Sequence, residues 1–282
     1  MKQVYKQMKG LFHGRNLGKE NILVAIIGAI LGDISGSQYE FHRPKDLDYK
    51  KCELFTDNCY FTDDTVMTLA AKLAVKNNIP FADSYRNLGK KYPNAGYGGL
   101  FDSWLRWDDE GAYNSFGNGS AMRCSYIGEL FNGEKEVIEW ATKSAECTHN
   151  HPEGIKGAVV TSMCVYMART GATKAELFDY VKRHYPKENY RYGVEYKIDD
   201  YMDTYRWDVT CQGSVPVAIR CFLDSEDYES FLRNVYSLPC DMDTLCAIGG
   251  GIAEEFYKGT GFDEEYLLKN YLDEYLYKIV RM

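Results

Sequence analysis

The sequence has little of what would make a membrane-spanning or nucleic-acid-binding protein. Its apolar run ILVAIIGAIL, from Ile22 to Leu31, is too short to span a bilayer and follows no signal-like cleavage pattern. We therefore expect a buried core helix there and no membrane association. Lysine and arginine number 33 against 41 aspartates and glutamates, giving a net charge of -8. This balance argues against a sequence-specific nucleic-acid partner, because phosphate binding needs clustered basic side chains.

Cysteine pairing signals are also missing. The nine cysteines are an odd number, none forms a CxxC pair, and their spacing matches no zinc module or disulfide scaffold. We expect a reducing, cytoplasmic compartment and, by default, a monomer.

Strand-like alternation is scarce, whereas apolar residues recur at the helical period. In VMTLAAKLAV, the residues Val66, Leu69, Ala70 and Leu73 share one helix face. Comparable segments are EKEVIEWATKSAE, GIKGAVVTSMCVYMA, KAELFDYVKRHY, VPVAIRCFL, DYESFLRNVYSL and DTLCAIGGGIAEEFY. The pattern predicts an all-α protein.

The chain has no obvious linker or repeat. We expect a tail or short helix at residues 1–20 and a single domain over residues 21–282. Residues 186–208 are polar, rich in tyrosine and without clear periodicity, so this segment is predicted to be an insertion, a lid or a small subdomain.

The stretch FTDDT at residues 61–65 permits two interpretations. Thr62 at the start of a helix is an ordinary N-cap, and Asp63 and Asp64 would then face the positive end of the helix dipole at an exposed site. Alternatively, their oxygens are metal ligands, because carboxylate and hydroxyl oxygens suit hard cations such as Mg²⁺ or Mn²⁺.

A second acidic motif, CDMDT at residues 240–244, also stands directly before an apolar helical segment. Asp241, Asp243 and Thr244 repeat the carboxylate and hydroxyl chemistry of the first motif, and at a turn entering a helix such side chains can converge. If the two motifs meet, they would hold two ions. The similar DDYMDT at residues 199–204 lacks a following apolar repeat and is predicted to be a solvated acidic loop.

Three further stretches have both structural and functional interpretations. Glycines four apart in GAILGDISG favour close helix packing followed by a turn, with Asp33 and Glu40 exposed. SFGNGSAMR at residues 115–123 is either a turn with Ser120 as an N-cap or a diphosphate-binding loop. CTHNHP lacks zinc-ligand spacing, so His149 is interpreted as a hydrogen-bonding, stacking or structural residue.

Taken in order, GDISGSQYE, FTDDTVMTLA, NAGYGGLFDSWL, SFGNGSAMR, THNHPEGIKGA, GSVPVAIRCFL and CDMDTLCAIGGGIAEEF resemble the signature series of the ADP-ribosylglycohydrolase family. The resemblance covers most of the chain and implies a compact, orthogonal multi-helix fold with a dinuclear Mg²⁺ or Mn²⁺ centre. It implies that the metal ligands are Thr62, Asp63, Asp64, Asp241, Asp243 and Thr244. It implies that Glu40 approaches the metals and can act in catalysis, and that ADP-ribose contacts Gly96, Tyr97, Gly98, Ser115, Phe116, Gly117, Asn118 and His149.

One departure from the family pattern lies at the second motif. The family usually has GGDTDT where this chain has PCDMDT, so Pro239 and Cys240 replace two glycines and Met242 replaces a threonine. The side chains with ligand oxygens are retained. The backbone conformation of the residues before them is expected to differ from that of the family, because two glycines are replaced.

The resemblance implies an enzyme that hydrolyses the bond between ADP-ribose and an acceptor, using either Glu40 or Asp241 for proton transfer. The substrate is then an ADP-ribosylated protein or an ADP-ribosylated small molecule. The group that carries the ADP-ribose is arginine, serine, a nucleic-acid base or a small molecule, and the sequence leaves these alternatives open. Two rival functions stay open as well: a catalytically silent ADP-ribose-binding protein of this fold, and a Mg²⁺-dependent phosphohydrolase of nucleotide diphosphates.

Overall fold

The computed structural model describes residues 26–107 and 110–282. This part of the chain is helical, and the predicted all-α class is confirmed. Within it there is no strand, only an isolated antiparallel bridge between Gly117 and Thr210. The prediction for residues 1–20 lies outside the described residues, as do the first residues of the apolar run before Ile26.

The helices follow one another with short connections. In chain order they are α1 (Ile26–Ser37), α2 (Asp63–Asn77), α3 (Phe81–Gly89), α4 (Gly99–Arg106), α5 (Gly119–Met122), α6 (Ser125–Leu130), α7 (Glu134–Glu146), α8 (Pro152–Arg169), α9 (Lys174–His184), α10 (Ile198–Thr204), α11 (Cys211–Leu223), α12 (Tyr228–Tyr236), α13 (Met242–Tyr257), α14 (Glu264–Tyr271) and α15 (Glu274–Arg281). The helical segments predicted from periodicity are all found. None of the helices in residues 26–107 and 110–282 combines the length and apolar character that crossing a membrane requires.

Helices α1 and α13 form the centre of the fold. Every residue of α1 is buried, and α13 contacts α1, α8, α11 and α12. The two central helices approach through glycines: a Cβ added to Gly28 would lie 2.4 Å from the Gly250 carbonyl oxygen, and one added to Gly32 would lie 2.3 Å from that of Cys246. The same face continues at Gly36, where a Cβ would lie 2.5 Å from the Asp243 Cα. The predicted close helix packing is therefore confirmed.

The DDYMDT stretch differs from its prediction. It forms helix α10 rather than a loop, because Tyr201 is buried and anchors one face while the Lys197 N–H donates to the Asp200 carboxylate at 2.9 Å. Its acidic residues Asp199, Asp200 and Asp203 are exposed, as predicted.

The polar segment 186–208 is packed onto the body of the protein by its tyrosines. Tyr192, Tyr201 and Tyr205 are buried, and the rings of Tyr192 and Tyr205 lie 4.6 Å apart between centroids. The Tyr205 hydroxyl donates to the Gly213 carbonyl in α11 at 3.1 Å. Near the end of this segment Trp207 is 44% exposed, so its aromatic ring faces solvent next to the buried tyrosines.

Candidate active site

The first acidic motif enters helix α2. Thr62 is the N-cap, in an extended conformation, and its side-chain oxygen accepts from the Asp64 N–H at 3.2 Å. The capping interpretation is thus correct for Thr62. It does not account for Asp64, which is 2% exposed and whose Oδ1 has no hydrogen-bond partner within residues 26–107 and 110–282.

Asp33 of α1 holds this helix entrance in place. Its Oδ1 accepts from the Thr62 hydroxyl at 2.7 Å, and its Oδ2 accepts from the N–H groups of Thr62 and Thr65, both at 3.0 Å. The Thr65 hydroxyl also donates to Oδ2. Asp33 is fully buried, so the expectation that it is exposed is wrong, and Glu40 is half-buried rather than exposed. The sequence does contain a signal for a buried Asp33. It is a single acidic residue in an otherwise apolar helix, and a buried carboxylate needs hydrogen-bond partners.

The second acidic motif enters helix α13 and meets the first. The Thr244 hydroxyl donates to Asp64 Oδ2 at 3.2 Å, and the Thr244 N–H donates to Asp243 Oδ1 at 2.8 Å. Asp241, Asp243 and Thr244 are all buried. The convergence expected for the two motifs is therefore present in the fold.

Carboxylate oxygens gather in two overlapping groups. Ligand atoms of Asp33, Asp64 and Asp243 lie within 4.8 Å of one another, as do those of Glu40, Asp241 and Asp243. Asp243 belongs to both groups and therefore joins them. The sequence-based set of metal ligands did not include Asp33.

Asp63 points toward the glycine-rich loop that precedes α4. Its N–H donates to the Ala95 carbonyl at 2.8 Å, and a Cβ added to Gly96 would lie 3.5 Å from Asp63 Oδ1. Gly96 has a φ of +103°, a conformation that favours glycine. This side chain therefore links the acidic cluster to the loop of Gly96, Tyr97 and Gly98.

The carboxyl groups of this cluster have raised pKa values, and burial is the largest cause for each of them. Burial raises the pKa of Asp33 to about 6, and burial together with the charge of Asp241 raises the pKa of Glu40 to about 7. Burial and mutual repulsion place the pKa values of Asp63, Asp64 and Asp243 well above their ordinary range. Burial also raises the pKa of Asp241.

The cluster has the chemistry that a hard cation needs. In the described part of the chain none of its carboxylates pairs with a lysine or arginine, and Asp64 Oδ1 is buried without a partner. Carboxylates buried so close together are costly unless positive charge lies among them. Oxygen-only ligands fit Mg²⁺ or Mn²⁺ better than zinc or copper.

Asn118 belongs to this cluster as well. Its side-chain amide donates to Asp241 Oδ2 at 2.7 Å and to the Ser214 hydroxyl at 3.0 Å. Asn118 is also the residue that precedes the short helix α5, so the interpretation of Ser120 as the N-cap is wrong. Ser120 lies inside α5 and donates to the Gly154 carbonyl at 2.7 Å.

His149 is buried beside the same loop and is held by a chain of hydrogen bonds. Arg123 donates to the Thr148 hydroxyl oxygen at 2.8 Å, and that hydroxyl lies 2.7 Å from Nδ1 of His149. Because Arg123 already donates to the Thr148 oxygen, we assign the Thr148 hydroxyl as the donor to Nδ1, which puts the ring proton on Nε2. Burial, together with the Arg123 charge, holds the pKa of His149 well below its usual value, so the ring is neutral.

Nε2 of His149 faces the backbone of the loop at residues 115–119. A Cβ added to Gly117 or Gly119 would lie 3.6 or 3.3 Å from it. Ser115 accepts from the Gly117 N–H at 3.1 Å, and Phe116 is 43% exposed with its ring 5.1 Å from that of His151. The structure thus gathers the predicted substrate-binding loops around the acidic cluster, and their contacts with substrate stay predictions.

An open cleft of about 650 Å³ adjoins the cluster at Glu40. Its walls are formed by Glu40, Phe41, Arg43, Lys45, Trp207, Pro239 and Cys240. Glu40 belongs to both the cleft and the acidic cluster. It is therefore the carboxylate that can reach a molecule bound in the cleft.

The fold and this site define an all-α protein with a buried carboxylate cluster that can bind divalent cations. A family model described as ADP-ribosylglycohydrolase matches residues 15–275. The chain therefore belongs to the ADP-ribosylglycohydrolase family, and its relatives indicate a hydrolase of ADP-ribose glycosidic bonds.

Individual relatives agree with this assignment. The chain is 26% identical to ADP-ribosylhydrolase ARH3 of Mus musculus, over 82% of each chain. It is also 26% identical to ARH3 of Homo sapiens, over 82% of this chain and 84% of the relative. A solved structure described as an ADP-ribosylglycohydrolase-related protein complex aligns with a TM-score of 0.68 at 20% identity, covering 91% of this chain and 94% of that one. This last likeness shows the fold alone.

Proposed function

We propose that this protein is a divalent-cation-dependent hydrolase that releases ADP-ribose from an ADP-ribosylated acceptor. The observation that carries the proposal is the hydrogen bond from Thr244 to Asp64, which joins the two acidic helix entrances. Family membership supports the same chemistry.

Two Mg²⁺ or Mn²⁺ ions would be held by Thr62, Asp63, Asp64, Asp241, Asp243 and Thr244. When bound, such ions supply positive charge that neutralises the buried carboxylates and attracts oxygen atoms of the sugar and of water. Asp33 acts differently, because among the described contacts both of its carboxylate oxygens accept hydrogen bonds from Thr62 and Thr65. We assign it the task of fixing the entrance of α2.

Proton transfer is assigned to Glu40 ahead of Asp241. One oxygen of Asp241 already accepts from the Asn118 amide, whereas Glu40 opens onto the cleft. In the proposed hydrolysis, the oxygen of water bonds to the anomeric carbon of the ribose and the bond to the acceptor breaks. One proton of that water goes to the acceptor by way of Glu40.

The loops around the cluster would bind the rest of ADP-ribose. Gly96, Tyr97 and Gly98 lie at Asp63, and the loop of Ser115, Phe116, Gly117 and Asn118 lies between Asp241 and His149. With the ring proton assigned to Nε2, His149 would donate a hydrogen bond to the substrate on this side. All of these residues come from one chain, so we propose that a monomer carries the site and that residues 21–282 form one domain, with 186–208 as an insertion.

Release of free ADP-ribose tests the proposal. The purified protein is incubated with Mg²⁺ or Mn²⁺ and peptides, oligonucleotides or small molecules carrying ADP-ribose, and the products are identified by mass spectrometry. The double variant Asp63→Ala/Asp243→Ala should lose activity by about a hundredfold or more, because fixed charge is usually the largest catalytic contribution. Asp199→Ala/Asp203→Ala, in the look-alike motif on α10, is the matched control and should retain activity.

Three outcomes would contradict the proposal. Full activity of the Asp63→Ala/Asp243→Ala protein would remove the acidic cluster from the mechanism. Tight binding of ADP-ribose without turnover of any substrate would favour the silent binding protein. Formation of AMP or inorganic phosphate in place of ADP-ribose would favour the nucleotide phosphohydrolase.

A further inference from the structure

The chain that leaves the 186–208 segment is paired with the loop that is predicted to bind the substrate. The Asn118 N–H donates to the Val209 carbonyl at 2.9 Å. The Cys211 N–H donates to the Phe116 carbonyl at the same distance. The end of the segment and the loop therefore hold each other's backbone in place next to the acidic cluster.

Ser214 is a buried residue in the first turn of α11, directly after this pairing. Its hydroxyl donates to the Asp208 carbonyl at 3.0 Å. A serine hydroxyl has a single proton, so the Ser214 oxygen is an acceptor toward the Asn118 side-chain nitrogen, which lies 3.0 Å away. The backbone at the end of the segment thus determines how Ser214 acts on the loop.

The orientation of the Asn118 amide follows from this acceptor. Its nitrogen donates one N–H to the Ser214 hydroxyl and the other to Asp241 Oδ2, at 2.7 Å. Turning the amide over would place its oxygen against the carboxylate, and the two would repel each other. Ser214 and Asp241 therefore favour the same orientation, and the bond to Asn118 restricts rotation of the Asp241 carboxylate.

The Asp208 side chain fixes the end of the segment against α11. Its Oδ1 accepts from the Thr210 N–H at 2.9 Å and from the Thr210 hydroxyl at 2.7 Å. Thr210 is the N-cap of α11, and its side-chain oxygen accepts from the Gly213 N–H at 3.1 Å. A Cβ added to Gly213 would lie 2.1 Å from Asp208 Cγ, so this close approach requires glycine. The Asp208 carbonyl that receives the Ser214 proton is thereby held in place.

We propose that Ser214 is a positioning residue of the metal site and that the 186–208 segment is a structural part of that site. Ser214 turns the Asn118 amide onto Asp241, and Asp208 holds Ser214 in this role. The inference rests on one part of the proposed function, the assignment of Asp241 as a metal ligand. It gives the segment a role in metal affinity, whereas a lid would act on substrate entry alone.

The affinity for Mn²⁺ measures this role without turnover. It is determined for the full chain by electron paramagnetic resonance, which distinguishes free from bound Mn²⁺, and by calorimetry. Ser214→Ala should weaken Mn²⁺ binding about tenfold, the size of effect expected when the partner of a metal ligand is disturbed. Asp208→Ala should also weaken it, because the carbonyl that takes the Ser214 proton is then less firmly held.

A double-mutant cycle tests whether Ser214 acts through Asn118. Asn118→Ala alone should weaken Mn²⁺ binding about tenfold or more. Adding Ser214→Ala to this variant should change the affinity by less than about twofold, because the residue through which Ser214 acts is already gone. A general structural effect of Ser214 would instead add in full to the effect of Asn118→Ala.

Ser162→Ala is the matched control. Ser162 is also a buried serine inside a helix, α8, and its hydroxyl donates to the Cys124 carbonyl at 3.1 Å. Both serine variants lose a buried hydrogen bond and should melt at a somewhat lower temperature than the parent. Only Ser214→Ala should change the affinity for Mn²⁺.

The outcomes distinguish failure of this inference from failure of the proposed function. Unchanged Mn²⁺ affinity in Ser214→Ala, full additivity in the cycle, or an equal loss in Ser162→Ala would overturn the inference and leave the proposed hydrolase intact. If the unaltered protein binds no Mn²⁺, both are overturned. If Mn²⁺ binding shows the expected losses but no substrate releases ADP-ribose, the inference is supported and the proposed hydrolysis fails.

Discussion

Thr244 donates its hydroxyl proton to Asp64 over 3.2 Å and so connects two helix entrances 180 positions apart in the sequence. Both residues are buried, and the second carboxylate oxygen of Asp64 has no hydrogen-bond partner in the part of the chain that the structure describes. Negative charge at such a contact must be balanced by a proton, as the raised pKa of Asp64 indicates, or by a bound cation. The stability of the protein and its metal binding are therefore coupled.

Replacing Asp243, the residue that belongs to both carboxylate groups, should separate the effect on stability from the effect on metal binding. Asp243→Asn eliminates one charge from both carboxylate groups, so the metal-free variant should melt at a higher temperature than the metal-free parent. The rise in Tm on adding Mg²⁺ or Mn²⁺ should largely disappear, because ligand binding to the folded state is lost. Thermal melts over a metal titration measure both effects, and an unchanged metal response would contradict the assigned ligand set.

The hydroxyl of Thr148 should set the tautomer of His149. Thr148→Val removes the donor to Nδ1, and we expect kcat/KM for ADP-ribose release to fall roughly tenfold or more through lost orientation of the ring. Thr148→Ser keeps the hydroxyl and should remain close to the parent. Nitrogen-15 NMR of the imidazole, assigned with His149→Asn, should show Nε2 protonated in the parent and a mixture in Thr148→Val. The same tautomer in both proteins would refute the relay.

The contact between α1 and α13 should not tolerate a methyl group. Gly32→Ala would bring a Cβ to 2.3 Å from the Cys246 carbonyl oxygen. Because this oxygen belongs to the backbone of α13, it cannot move aside as a flexible side chain could. The free energy of unfolding should therefore fall by about 1–3 kcal/mol or more. Gly99→Ala is the control, because no atom of the described residues lies within 4 Å of the added Cβ, and it should lower the free energy of unfolding only slightly. Urea unfolding of both variants gives the comparison, and equal stabilities would show that the helices can separate freely.

Glu254 should make stability depend on pH. It is buried between α1 and α13, one oxygen accepts from the Gly28 N–H at 2.6 Å, and the other has no hydrogen-bond partner among the described residues. Burial, reinforced by Glu264 and other nearby acids, holds its pKa well above the usual value. The folded state thus retains a proton that the unfolded chain releases, so the stabilisation present below about pH 4 is lost as pH rises through the folded-state pKa.

Glu254→Gln removes this titration. The difference in unfolding free energy between the glutamine variant and the parent should become more favourable to glutamine from pH 5 to pH 8. Glu139→Gln, at an exposed ion pair on α7, serves as the control and should show almost no such trend. A constant difference for Glu254→Gln across that range would mean that the buried carboxyl does not change its charge.

Much of the helical architecture could be predicted from the sequence, because the apolar faces of long helices repeat at a fixed period. The segment at residues 134–146 matches α7 from end to end. The α10 prediction failed for a local reason: the helix has seven residues and buries two of them, Ile198 and Tyr201, which are too few to show a helical period.

Site residues could be predicted where carboxylate and hydroxyl side chains cluster along the sequence. They could not be predicted where a residue's role depends on contacts that only the fold creates. The motifs around Asp64 and Asp243 were recognisable from their composition. Asp33 was missed because its importance comes from Thr62 and Thr65, which only the packing of α1 on α2 brings to it. The cleft of Phe41 and Trp207 was likewise invisible, since its two aromatic walls belong to distant parts of the chain.

The glycine face shared by α1 and α13 has a consequence for how such a site can change over time. Backbone rests on backbone there, so the spacing between Asp33 and Asp243 is fixed by the main chain and cannot be retuned by exchanging one side chain for another. The loops that border the cleft carry no such restriction. Descendants of this protein would therefore keep the same reaction centre while acquiring new substrates through the surrounding loops.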